Sequence, residues 1–224
     1  MTGELTLTLP TWGEKIEGGF FEEKTHTYRD DEGIVRISST QVFDTLGMVD
    51  FGNVNPEVVE FKRLYGQALH KCVQFLVAED LDWDEVDNRL IDPVTGVESY
   101  LRELQFKVEG SEEKRIHNLC GMKYGMTLDL RGTVMYQGIR RHAVIDLKTG
   151  VKTSPTWTWQ LGSYIHPQPK VERGWLGIIF QVHPDGRVIP HYVRDVEKAK
   201  REFQILLAAA ILKVNEGFVK VGKP

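Results

Sequence analysis

The sequence feature that most constrains the fold is the segment 143–150, a short apolar run that carries an acid and a lysine two residues apart. Side chains two apart on a β-strand point to the same face, so Asp146 and Lys148 would project together, away from Ile145. A buried charge is costly unless it is paired or binds a metal. The run therefore predicts either an edge strand with a solvated polar face or a strand that carries a functional site.

Length and composition indicate one globular unit. The chain has 224 residues, of which 41% are hydrophobic and 27% are charged, which suffices for one full core. We expect a single domain over residues 1–224, with its core at about 25–215. No run approaches the roughly 18 apolar residues of a membrane span, and the first residues lack the basic and apolar segments of a signal peptide. We therefore expect an intracellular protein with no membrane partner.

Charge and cysteine content exclude several functional classes. The net charge of −4 argues against a generally basic nucleic-acid wrapper, although local clusters such as Lys62 and Arg63 permit a basic groove. The two cysteines, Cys72 and Cys120, lack the paired spacing of a disulfide framework or of a cysteine-built metal site.

Apolar periodicity and turn residues divide the chain into helices and strands. Helices are expected at 39–45, at 56–78, for a short stretch after the acidic turn 80–87, and at 98–103, 155–165 and 195–215. Strands are expected at 5–9, 25–27, 34–37, 104–108, 114–119, 126–134, 143–148, 174–183 and 187–193. This order predicts an α/β fold with a mixed central sheet flanked by helices. The short turn between the strands at 126–134 and 143–148 predicts an antiparallel pair, which brings Asp129 close to Asp146.

The helix expected at 56–78 carries a polar stripe at spacings of three and four residues. Its members are Arg63, Gln67, His70 and Gln74. His70 has two interpretations, which the sequence leaves open. It is either a surface histidine at the margin of the stripe, or a metal ligand or phosphate contact that faces the acidic strand.

Asp129, Asp146 and Lys148 together predict a hard, oxygen-rich site. Such a site suits Mg²⁺ or Mn²⁺ better than zinc, and the main-chain carbonyl of Leu147 is a further candidate ligand. Lys148 would either hold and help deprotonate an attacking water, or stabilise developing negative charge as a cation.

Several motifs follow one another in a recognisable order. They are Tyr124-Gly125-Met126-Thr127-Leu128-Asp129, Val144-Ile145-Asp146-Leu147-Lys148-Thr149-Gly150 and Trp159-Gln160-Leu161-Gly162-Ser163-Tyr164, preceded by Thr25-His26-Thr27-Tyr28, Ser38-Ser39-Thr40-Gln41-Val42 and Gly66-Gln67-Ala68-Leu69-His70. Over residues 25–210 this combination resembles the PD-(D/E)xK nuclease superfamily, in its RecB-like and phage-exonuclease branch. Most of the specificity lies in Asp-x-Lys-Thr-Gly followed about ten residues later by Gln-x-x-x-Tyr.

The resemblance implies a restriction-endonuclease-like fold and a metal-dependent DNA nuclease that uses Mg²⁺ or Mn²⁺. The activity it implies is that of an exonuclease in phage-type DNA recombination, repair or replication. Two alternatives stay open: a non-cleaving DNA-binding recombination partner that keeps the fold, and a structure-specific endonuclease. DNA is the implied partner, together with a recombination or single-strand-binding protein, in the cytoplasm of the cell or of a viral host.

The resemblance also implies roles for individual residues. Asp129 and Asp146 would bind the metal, Lys148 would act on the attacking water, and His70 would lie beside the metal. Gln160 and Tyr164 would shape the site from the following helix. The family often has a further acid on the strand before the first aspartate, and here Glu113 is the choice, with Glu112 as its close rival.

Two departures from the family pattern bear on the site. Met126 stands where many members have a small residue, and an alternative alignment on Gly132-Thr133-Val134-Met135 would place methionine at the metal-binding acid. We prefer Asp129, because the run from Tyr124 fits better. The chain also lacks the four cysteines of the iron-sulfur members, so no iron-sulfur cluster is expected.

Overall fold

The computed structural model describes residues 13–49, 54–150 and 152–221, and within them it confirms a mixed α/β architecture. The strand expected at 5–9 lies outside the described residues. The elements, in order, are β1 (Glu14–Ile16), β2 (Gly19–Glu22), β3 (Thr27–Asp30), β4 (Val35–Arg36), α1 (Ser39–Thr45), α2 (Pro56–Val77), a 3₁₀ turn (Trp83–Glu85), α3 (Asn88–Glu103), β5 (Lys107–Leu119), β6 (Met122–Tyr136), β7 (Ile139–Lys148), α4 (Pro155–Ile165), β8 (Leu176–Val182), β9 (Val188–Val193) and α5 (Val196–Asn215).

The described strands form two sheets, where the sequence predicted one. Strands β1 to β4 make an antiparallel sheet in chain order, and β5 to β9 make a five-stranded sheet, also in chain order. The second sheet is mixed, because β7 and β8 are parallel whereas its other neighbours are antiparallel. Strand β7, which carries Asp146, is the middle strand, so the interpretation of this run as an exposed edge is wrong.

Helices cover both faces of the five-stranded sheet. On one face α2 and α3 pack against Ile145 and Leu147. On the other face α1, α4 and α5 pack against Val144 and Leu128. The last helix covers the sheet as its periodicity predicted. Helix α4 lies within the connection between the parallel strands β7 and β8, which need such a crossover.

Local caps explain why the helices begin where the sequence predicted. The side chains of Ser38, Asn55 and Ser154 each accept a hydrogen bond from a main-chain N–H group in the first turn of α1, α2 and α4. Helix α3 joins the short helix expected after the turn 80–87 and the helix expected at 98–103 into one element. It begins after Asp87 and contains Pro93, a residue that usually kinks or breaks a helix interior.

Strand β5 is one continuous strand, although the sequence predicted two. A bulge lies between Val108 and Gly110, and Glu112 adopts a left-handed backbone conformation with φ of 49°. Bulges and left-handed residues turn side chains away from regular alternation. In the described part of the chain, no helix is both long enough and apolar enough to cross a membrane.

Candidate active site

The site lies where β6 and β7 separate. Their pairing ends at Leu130 and Ile145, and the next residues are Asp129 and Asp146. Beyond this point a side chain replaces the main-chain hydrogen bonds between the two strands: Asp129 Oδ2 accepts a hydrogen bond from the main-chain N–H of Leu147 at 2.7 Å. The end of the pairing thus leaves two carboxylates in a fork between neighbouring strands, as the sequence predicted.

His70 reaches this fork from α2. Its Nδ1 lies 3.3 Å from Asp129 Oδ1 and 3.7 Å from Glu112 Oε1, and its Nε2 lies 3.2 Å from the carbonyl oxygen of Leu147. The candidate ligand atoms of His70, Glu112 and Asp129 all lie within 4.8 Å of one another. The structure therefore brings His70 into the site instead of leaving it as a surface histidine.

Glu112 occupies the place that the sequence assigned to Glu113. Glu113 instead accepts two hydrogen bonds from the Arg131 guanidinium, from Nε and from the terminal nitrogen, each at 2.9 Å. The choice of Glu113 as the extra acid is corrected on these grounds. The physical reason is the left-handed backbone at Glu112, which breaks the regular alternation on which that choice depended.

Asp146 is fully buried and forms an ion pair with Lys148. Lys148 Nζ lies 2.8 Å from Asp146 Oδ1, whereas Asp146 Oδ2 is buried without a hydrogen-bond partner among the described residues. Burial raises the pKa of Asp146 to about 6, with the Asp129 charge adding to the rise and Lys148 opposing it. A buried carboxylate with one unsatisfied oxygen is costly, which is typical of a functional position.

The opposite charges of His70 and Asp129 stabilise each other. Burial alone would lower the pKa of His70, but the Asp129 and Glu112 carboxylates raise it to about 10. Burial alone would raise the pKa of Asp129, and His70 and Lys148 hold it below its usual range. In the metal-free chain, an imidazolium therefore balances the carboxylates around it.

Gln160 and Tyr164, on one face of α4, complete the buried wall of the site. The Gln160 side-chain amide donates a hydrogen bond to the Tyr164 hydroxyl, and both residues line the groove described below. Burial raises the pKa of Tyr164 well above its usual value, and the Asp146 and Asp129 charges add to the rise. Tyr164 therefore remains a neutral phenol that can donate a hydrogen bond.

Met126 does not obstruct the site. It is fully buried in the core beside Leu128, whereas Thr127 and Asp129 line the groove. The alternative alignment, with Met135 at the position of the acid, is not supported, because Asp129 is the residue that lies beside His70.

The small sheet forms a wall that the sequence did not predict. The Tyr28 hydroxyl lies 2.6 Å from Thr127 Oγ1, and the Tyr28 ring packs so closely that a Cβ atom on Gly125 would be 2.1 Å from its Cγ. Gly125 therefore makes room for Tyr28, which anchors the wall to β6. The sequence pointed to Tyr28 only through the resemblance of the motif at residues 25–28 to the family's lead-in motif.

These residues lie in a groove of about 1090 Å³ between α2 and the small sheet. Of the described residues that line it, lysine and arginine outnumber aspartate and glutamate by six to three. The basic residues are Lys24, Lys62, Arg63, Lys71, Lys114 and Lys148. A chain of net charge −4 thus concentrates positive charge around one acidic site, which suits a polyanion that must approach carboxylates.

Taken together, the side chains define an acidic, lysine-bearing site at the base of a basic groove. Neither a known protein family nor a curated protein sequence matches the chain. Among solved structures, the crystal structure of SSO0001 aligns with 17% identity over 77% of this chain and 82% of that chain, with a TM-score of 0.31. A similarity of this size carries no argument about fold or function.

Proposed function

We propose that this chain is a metal-dependent deoxyribonuclease with a restriction-endonuclease-like fold, which hydrolyses DNA phosphodiester bonds as an exonuclease in phage-type recombination, repair or replication. The observation that carries the proposal is the Asp146–Lys148 pair next to the group of His70, Glu112 and Asp129. The order of the motifs in the sequence supports the same proposal independently of the geometry.

The residues present fit a divalent metal ion. Asp146 Oδ2 is a buried anionic oxygen without a hydrogen-bond partner in the described chain, and a cation would satisfy it. Asp129, Asp146, Glu112 and the Leu147 carbonyl offer oxygen ligands and His70 offers a nitrogen, a set that suits Mn²⁺ and Mg²⁺. When bound, such an ion would neutralise the carboxylates, polarise the phosphate and lower the pKa of a coordinated water.

In this proposal Lys148 is the group that acts on the attacking water. Its ammonium group lies 2.8 Å from Asp146 Oδ1 and lines the groove. From there it would orient a water by hydrogen bonding and balance the negative charge that develops on the phosphate. The Tyr164 phenol and the Gln160 amide are buried and line the inner side of the groove.

The basic residues around the groove favour DNA as the substrate. Lysine and arginine contacts to phosphates supply most of the sequence-independent affinity of proteins for nucleic acids. Lys62, Arg63 and Lys71 on α2 line the groove together with Lys24, between β2 and β3, and Lys114 on β5. A DNA strand held by these side chains would bring a phosphodiester to the carboxylates.

The test is a cleavage assay on labelled linear and circular DNA in Mg²⁺, in Mn²⁺ and in EDTA. We expect cleavage of linear DNA by the wild type with either metal ion, none in EDTA, and none by a folded Asp146→Ala variant. Cleavage of the circle as well would indicate the endonuclease alternative. Wild-type cleavage rates in Asp146→Ala would refute the assignment.

The second candidate function is a DNA-binding recombination partner that keeps the fold without cutting. Asp129→Ala separates the two candidates when metal binding is measured by isothermal titration beside the cleavage assay. The nuclease proposal predicts that the substitution abolishes both metal binding and cleavage. A wild type that binds DNA and metal but never cleaves would favour the binding partner.

A further inference from the structure

We propose that Gln181 is a positioning residue, which holds the segment 148–150 in place through the main-chain carbonyl of Gly150. The inference rests on the proposed nuclease function and adds a residue to it that no motif contains. It concerns the underside of the site, on β8, where the side chains do not line the groove.

Gln181 is an unusual residue for its strand. All seven residues of β8 are buried, and the other six are apolar or glycine. A buried amide costs free energy unless its polar atoms are hydrogen-bonded. A methionine or leucine would fill the same space without that cost, so the amide must serve its partners.

The two ends of the Gln181 amide have different partners. Its Nε2 donates a hydrogen bond to the carbonyl oxygen of Gly150 at 2.8 Å. Its Oε1 lies 3.0 Å from His191 Nε2 on β9, and the oxygen can only accept there. His191 therefore fixes the orientation of the amide, with its donor towards Gly150.

The segment that receives this hydrogen bond carries the proposed water-activating lysine. Lys148 is opposite Gln181 in the parallel pairing of β7 with β8, and residues 148–150 line the groove. Strand β7 ends at Lys148, so the ladder no longer holds Thr149 and Gly150. Beyond the end of the ladder, the Gln181 amide supplies a hydrogen bond to the main chain at Gly150.

Two close approaches confine the same segment from its sides. A Cβ atom on Gly66 of α2 would lie 3.4 Å from Thr149 Oγ1, and one on Gly150 would lie 3.1 Å from the Trp157 ring. Residues of α2 and α4 therefore pack beside the segment that the Gln181 amide bonds. Without the amide, the Gly150 carbonyl loses its partner, and the segment that aims Lys148 can shift.

Gln181→Met tests the inference, because it keeps the volume and removes the hydrogen bonds of the amide to Gly150 and His191. The matched control is Val182→Ala, which loses buried volume on the opposite face of the same strand, in the core below α2 and α3. We expect Gln181→Met to lower kcat for DNA cleavage by about ten- to hundredfold with KM unchanged, since small misplacements of a reacting group cost that much. Val182→Ala should keep the wild-type kcat below its melting temperature.

Hydrogen exchange provides a readout that does not depend on activity. In Gln181→Met, the amides of residues 148–150 should exchange at least about tenfold faster than in the wild type, and in Val182→Ala they should not. His191→Phe removes only the orienting partner, so it should change kcat and exchange in the same direction by less. It also keeps the test available if Gln181→Met does not fold.

The outcomes separate this inference from the proposed function. If exchange and kcat in Gln181→Met equal those of Val182→Ala while Asp146→Ala is inactive, the positioning role is refuted and the nuclease stands. If exchange rises but kcat is unchanged, the positioning role is likewise refuted. If the wild type never cleaves DNA, the proposed function fails. In that case, unchanged hydrogen exchange of residues 148–150 in Gln181→Met would also refute the role of the Gln181–Gly150 hydrogen bond.

Discussion

Replacing Asp146 by asparagine should stabilise the metal-free protein at neutral pH while it abolishes activity. The side chain is fully buried, and its folded pKa of about 6 lies above the usual 3.8. Ionisation therefore opposes folding, and the difference corresponds to about 3 kcal/mol above pH 6. The attraction of Lys148 is already contained in this pKa, so we expect a net stabilisation of about 3 kcal/mol.

The sign of the pH dependence follows from the raised pKa. Below about pH 4 the carboxyl is protonated in both the folded and the unfolded chain, so wild type and Asp146→Asn should have nearly equal stability. As pH rises from about 4 to about 6, the wild type loses stability relative to the variant, and the gap then stays constant. For a chain of this size, a gap of about 3 kcal/mol raises the melting temperature by roughly 6–12 °C.

The assay is denaturant and thermal unfolding in EDTA between pH 4 and pH 8. Addition of Mn²⁺ at about a thousand times its Kd should reverse the order of stability, because it adds about 4.1 kcal/mol to the protein that binds it. A variant that is less stable than the wild type in EDTA at pH 8, or a gap that does not close at pH 4, would refute this account of Asp146.

Three further substitutions test individual contacts. Glu112→Gln should weaken Mn²⁺ binding in isothermal titration by at least about tenfold. Glu113→Gln should leave Mn²⁺ binding unchanged and cost about 1 kcal/mol of stability, because it loses its pairing with Arg131. Equal Mn²⁺ affinities of the two variants would show that Glu112 is not part of the site. Burial alone would raise the pKa of Asp30, but hydrogen bonds from partners that include Arg36 lower it to about 2. Asp30→Asn should therefore cost about 1–2 kcal/mol at pH 7, and this gap should close as pH falls from about 4 to about 2; a gap that persists at pH 2 would contradict the pairing.

The elements around the site were predictable because their signals are local. Apolar residues at helical spacing and capping side chains marked α2, α4 and α5, and alternation marked β6 and β7. These elements carry Asp129, Asp146, Lys148 and Gln160. The group of close ligand atoms combines Asp129 with His70 and Glu112 and does not include Asp146. The polar stripe of α2 left the role of His70 open, and only the family resemblance implied a place beside the metal.

The rest of the site depends on contacts between distant segments or on irregular backbone. The choice between Glu112 and Glu113 depends on a residue with left-handed backbone inside a strand, and periodicity cannot predict such a residue. Tyr28 reaches Thr127 across 99 residues of sequence, so no local pattern indicated that a second sheet forms one wall. Gln181 belonged to an apolar run, and only its partners on Gly150 and His191 distinguish it.

The most direct test of the central claim is the single-turnover rate of cleavage of end-labelled DNA in Mn²⁺ by Lys148→Met and by Lys152→Met. Both variants lose one ammonium group, but Lys152 is exposed and is not among the residues that line the groove. We predict that Lys148→Met loses at least about a hundredfold in rate while DNA binding stays within a few-fold of wild type, and that Lys152→Met cleaves at the wild-type rate. Equal rates in the two variants would contradict the assignment of Lys148 and with it the proposed active site.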